Sequence, residues 1–124
     1  MKTTKNHFQI FKKECQKWIA FFGLYGWRYS YFHEDTTEDW RASVRVSIDG
    51  RTVSLFLHID WKDDVVTERA VRESAFHEIC EILLWRLASM AFGNLRFSPK
   101  ECNEETHNII RILENKVFNR GKKK

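Results

Sequence analysis

His77-Glu78-Ile79-Cys80-Glu81 puts one imidazole and two carboxylates within little more than a helical turn. The stretch lies in a long apolar run with helical spacing. It reads as the zinc-helix pattern H-E-x-x-H with glutamate in place of the second histidine. Positions i and i+4 share one helix face, so His77 and Glu81 can reach one cation. Glu78 lies about 100° round the helix from His77, where a general base addresses a metal-activated water. A catalytic zinc takes three protein ligands and keeps one position for water. The next helical segment offers Glu104, Glu105 and His107. At ~1.5 Å per residue, His107 lies about 13 Å along its helix from Ser98, and His77 about 20 Å back from Met90. Those similar levels favour His107, with Glu104 and Glu105 as alternates. Each group also has an ordinary reading. His77 could be a hydrogen-bonded core histidine, Glu78 and Glu81 surface carboxylates paired with Arg72 or Arg86, and His107 a local pairing partner.

The elements that must position these groups follow from hydrophobic spacing. Phe8, Phe11, Cys15, Trp18 and Phe22 form one stripe of a helix over residues 5–22, and Gly23 and Gly26 end it. Residues 27–33 alternate with period two, as a strand does. The acidic, Thr-rich stretch 34–39 reads as a solvated loop. Trp40, Ala42, Val44, Val46 and Ile48 make a second strand. Asp49-Gly50 is a two-residue hairpin signal, because both residue types tolerate positive φ. Val53, Leu55, Leu57, Ile59 and Trp61 form the apolar face of a third strand, so three antiparallel strands are expected. His58 and Asp60 fall on its polar face, as exposed residues of a half-solvated sheet or as a second ligand pair.

Asp63 or Asp64, with Thr67 as a further candidate cap, opens a long central helix that runs to about Met90 before Gly93. Ser98-Pro99-Lys100-Glu101 is a capping box with proline at the first helical position. A last helix reaches Phe118, with Ile109, Ile110, Leu113 and Val117 facing inward. The expected fold is an α+β domain with helices on one face of a small sheet.

The chain has 124 residues, enough for one domain over 1–124 with a genuine core. Aromatic residues at 15% and a single proline argue against disorder and long linkers. No stretch approaches the ~20 apolar residues of a membrane span. The polar, basic start without an apolar run predicts a cytoplasmic protein. Cys15, Cys80 and Cys102 are odd in number and match no C-x-x-C spacing, so they predict free thiols. Net charge is +4, and residues 120–124 form a basic tail, either a solubilising end or a weak nucleic-acid contact. No zinc-finger spacing or RNP motif supports dedicated nucleic-acid recognition. Trp18, Trp40, Trp61 and Trp85 sit in apolar registers, as core residues do.

Residues 75–84, Ala-Phe-His-Glu-Ile-Cys-Glu-Ile-Leu-Leu, together with Glu104-Glu105-Thr106-His107 and residues 109–115, resemble the zincin-like small metallopeptidases. More narrowly, they resemble the short phage- and prophage-encoded members of that group. The resemblance covers the C-terminal half well and the N-terminal half by pattern. It implies a minimal zincin-like fold, zinc as cofactor, His77 as ligand, Glu78 as general base and a peptide or protein substrate. It also implies a bacterial host cell as the place of action. Glu81 stands where the family has its second histidine. A carboxylate still binds zinc, but its charge weakens the metal's Lewis acidity. That departure leaves open a non-catalytic protein that binds a host complex on the same scaffold. A free strand edge beside the cleft would hold an extended peptide by β-augmentation. Residue pattern alone does not say which strand is free, nor does it fix the oligomeric state.

Overall fold

The computed structural model describes residues 1–37, 41–91 and 98–118. The chain divides into two compact units, Met1–Ile82 and Leu83–Lys124. Trp40 and the basic tail lie outside the described residues.

The first helix, α1, spans Lys5–Phe22. The Thr4 hydroxyl accepts the His7 N–H, and His7 Nδ1 accepts the Thr4 N–H at 3.0 Å. This is a reciprocal capping box with histidine where glutamate is usual. Gly23 ends the helix at φ 67°, a left-handed conformation that glycine adopts without steric cost. Phe11, Cys15, Ile19 and Phe22 recur at intervals of three and four and are buried.

Three strands follow: β1 (Arg28–His33), β2 (Ala42–Ser47) and β3 (Thr52–Leu57). The α+β layout is as expected, but the sheet is mixed rather than wholly antiparallel. Its order is β1-β3-β2, with β3 parallel to β1 and antiparallel to β2. The physical reason lies in residues 34–41, a connection too long for a tight hairpin. It passes the end of β3, where Asp35 Oδ1 accepts the N–H groups of Ile59 and Asp60 at 2.9 and 3.1 Å. The β2–β3 turn also differs from the two-residue form. Ser47 pairs with Thr52, so four residues make the loop. Positive φ falls on Arg51 at 51° and not on Gly50.

Tyr29, Tyr31, Val44, Val53, Leu55 and Leu57 share one sheet face by register. Helix α1 lies over it. Phe8 stacks on His33 with ring centroids 5.2 Å apart, and Lys12 Nζ sits 5.5 Å above the Tyr31 ring. Ile59 and Trp61 do not prolong β3 but pair with the first residues. The Thr3 N–H donates to the Ile59 carbonyl at 2.8 Å, and the Trp61 N–H to the Met1 carbonyl at 2.9 Å.

The Thr3 hydroxyl donates to the His58 carbonyl at 2.8 Å. That commits its one hydrogen, so His33 Nε2–H is the donor in the 2.8 Å contact with Thr3 Oγ1. Burial pushes the His33 pKa below its ordinary value; Asp35 opposes the shift and His7 adds to it. The folded chain therefore binds fewer protons than the unfolded chain between that lowered value and about 6.5. His33 contributes stability that is fully present above about pH 6.5 and is lost as pH falls through the folded value. Urea melts from pH 7.5 downward are expected to show falling stability, and His33→Gln to flatten that trend. An unchanged trend in the variant removes His33 as its source.

The helix expected from residue 63 or 64 to Met90 starts later and is divided. α2 spans Glu68–Leu83, and Thr67 caps it by accepting the Ala70 N–H at 3.0 Å. Asp64 is taken instead by Arg41, whose Nε donates to Oδ2 at 3.1 Å. After Leu84 the chain enters α3 (Trp85–Ala91), and no glycine or proline marks the break. α2 meets α1 through Trp18 and Phe76, with ring centroids 4.7 Å apart, and through Arg72 and Glu14.

In the second unit, α4 spans Pro99–Leu113 and continues as a π-helical turn, Glu114–Phe118. The Ser98 hydroxyl accepts the Glu101 N–H at 3.2 Å, and Glu101 Oε1 accepts the Ser98 N–H at 3.1 Å. Ser98→Ala is expected to cost about 1 kcal/mol of helix stability, read as faster amide exchange in the first turn of α4; unchanged exchange would show the cap to be idle. Of the four residues expected to face inward, Ile109 is buried, while Ile110, Leu113 and Val117 are exposed. A unit built from a few helical segments has too few layers to enclose so wide a stripe.

Candidate metal centre

Helix α2 presents His77, Glu78 and Glu81 on one side because positions i, i+1 and i+4 span little more than one turn. One ligand atom from each of the three lies within 4.8 Å of the others. His77 Nε2 is 3.0 Å from Glu81 Oε2, with the two side chains 71% and 51% exposed. Glu78 is buried. Its carboxylate, together with that of Glu14, adds to the larger effect of burial in pushing the Cys15 thiol up. Glu78 is thus the buried member of the cluster, near enough to Cys15 of α1 to act on it, while His77 and Glu81 reach solvent. Cys80, half-buried on the same helix, also has its thiol pushed up by burial and reads as an apolar filler.

The three residues line a groove of about 800 Å³. Its opposite wall is residues 41–44, which enter and begin the outer strand β2. Arg41 stands in this wall, its guanidinium 5.1 Å above the Trp61 ring. Neither Arg41 nor Ser43 is singled out by sequence pattern, because only the strand order places β2 outermost beside α2.

The donor set fits a divalent ion. Two ligands about 2.0–2.2 Å from one zinc stand roughly 3.3 Å apart at a tetrahedral angle. The 3.0 Å separation of the His77 and Glu81 donor atoms is close to that. One imidazole with carboxylates is the ligand type of open, catalytic zinc sites rather than closed structural ones.

The remaining sequence candidates are described within their own units. His107, on α4 in the second unit, is exposed and donates from Nδ1 to the Asn103 carbonyl at 2.8 Å. Glu104 and Glu105 belong to that unit too. His58 departs from its expected exposure. It is 2% exposed, and its Nε2 is 3.1 Å from Ser43 Oγ and 2.9 Å from Thr36 Oγ1. A buried imidazole satisfied by hydroxyls is a structural histidine. Asp60 is exposed and accepts the Lys62 N–H, which holds its carboxyl below the usual range.

Comparison with family models, with curated proteins and with solved structures finds no match. Among the described residues, no helix is long and apolar enough to cross a membrane.

Proposed function

We propose that this chain is a zinc-dependent, metallopeptidase-like hydrolase of the phage type, with His77 and Glu81 as two of the three metal ligands and Glu78 as general base. The observation that carries this reading is the convergence of the three side chains on one wall of a groove whose other wall is an outer strand. A peptide laid along β2 would extend the sheet by backbone hydrogen bonds. A zinc ion in the site supplies Lewis acidity and a water of lowered pKa. Glu78 would take a proton from the attacking water and pass it to the amine released as the peptide C–N bond breaks.

Equilibrium dialysis against zinc, read by elemental analysis, tests the site. About one equivalent is expected in the native chain, and none in excess of background in His77→Ala. Stoichiometry that survives His77→Ala sinks the proposal. The His107→Ala variant separates the sequence expectation from the cluster, because retained zinc assigns the site to the first unit alone. The closed His77–Glu81 pair favours a second reading, a non-catalytic protein that binds a host complex through the same groove. Zinc retention without hydrolysis of any peptide in a mixed-sequence library would select it.

A further inference from the structure

The sheet has a second face, turned away from α1, which meets the proposed hydrolase groove only at Ser43. Arg28, Ser30 and Phe32 of β1, Arg45 and Ser47 of β2, and Phe56 of β3 share it by register. Phe32 and Phe56 stand side by side on adjacent strands, their rings stacked at 5.1 Å with 22° between planes. The Arg45 guanidinium lies 5.2 Å from the Phe56 ring centre. By register Phe32 and Ser43 stand opposite Phe56, and Arg45, opposite Ser54, reaches the Phe56 ring with its guanidinium. The three groups are in contact in a row across the sheet, and Phe32 remains 37% exposed.

The charge that the three strands themselves place on this face is positive. None of the three strands contains an aspartate or glutamate. Arg28 and Arg45 are exposed, and neither has a carboxylate partner among the described residues. The nearest acids in sequence to β1 are Glu34 and Asp35, beyond its end, and Asp35 is committed to backbone N–H groups. Ser30 and Ser54 are the next residues on this face along β1 and β3.

We propose that this face binds single-stranded nucleic acid, with bases stacked on Phe32 and on the Arg45 guanidinium and phosphates held by Arg28 and Arg45. An exposed ring and a guanidinium plane offer π-faces to any base, and arginines on the same face offer positive charge to the phosphates of an unpaired strand. An acidic peptide would satisfy the arginines but give the aromatic stack no partner.

The test uses the full chain and a fluorescein-labelled oligothymidylate of about 12 nucleotides, read by anisotropy at about 50 mM salt. Binding that weakens steeply with salt is expected. Phe32→Ala and Arg45→Gln are each expected to weaken it roughly tenfold, while Phe32→Tyr keeps it. Circular dichroism verifies that each variant is folded, and the exposed Arg45 serves if Phe32→Ala is not. Three results overturn the proposal. The first is no binding at low salt. The second is binding insensitive to Phe32 and Arg45 but lost when Lys122, Lys123 and Lys124 are changed to glutamine, which assigns it to the tail. The third is displacement by polyglutamate as effective as by unlabelled oligonucleotide, with Phe32→Ala silent, which marks a simple cationic patch.

Discussion

Leu55→Ala is expected to lower the unfolding free energy by about 3–5 kcal/mol. Leu55 is fully buried at the centre of the middle strand, opposite Tyr31 on β1 and Val44 on β2. Truncation removes its transfer free energy and leaves a void that strands on both sides cannot easily close. A domain of this size holds roughly 5–10 kcal/mol in all, so the variant should be close to unfolding at room temperature. Urea denaturation followed by tryptophan fluorescence measures the loss. Ile48→Ala is the control, since Ile48 is 46% exposed at the turn and should change stability by no more than about 0.5 kcal/mol. Equal losses at both positions would mean that the core is not centred on Leu55.

Glu78→Gln carries the second large effect. The exchange keeps shape and hydrogen-bonding capacity but removes the ability to take a proton. Under the proposed function, peptide hydrolysis should fall by about 10²–10⁴-fold, while zinc stoichiometry and thermal stability stay near those of the native chain. Loss of zinc in this variant would make Glu78 a third ligand, which its place within the 4.8 Å cluster also allows. A destabilised variant with zinc and hydrolysis intact would leave Glu78 a buried structural carboxylate and end its role as base.

The parts of the fold legible in the sequence are those set by local rules. Residues 5–22, the Gly23 stop and the Ser98 capping box needed only spacing and cap chemistry, and each appears where expected. Strand pairing was not legible. Alternation shows that residues 28–33 and 52–57 are extended, but no local signal says that they run parallel or that β2 lies outermost. The Asp49-Gly50 turn was read from residue preference, yet the register at Ser47 and Thr52 moved the left-handed residue to Arg51. His58 looked exposed by parity, because the hydroxyls that bury it come from a loop and a neighbouring strand. The grouping of His77, Glu78 and Glu81 was legible because one helix carries all three. The burial of Glu78 depended on where α1 lies, which spacing within α2 does not encode.

The parallel placement of β1 has a kinetic consequence. Strands β2 and β3 are joined by a four-residue turn and can zip within microseconds. Arg28 must instead find Thr52, 24 positions further along the chain, and only after β3 exists as a template. Such non-local pairing slows the search for the native state. The hairpin should therefore gain amide protection before β1 during refolding, leaving the β1 side of β3 as the last backbone to be sealed from solvent.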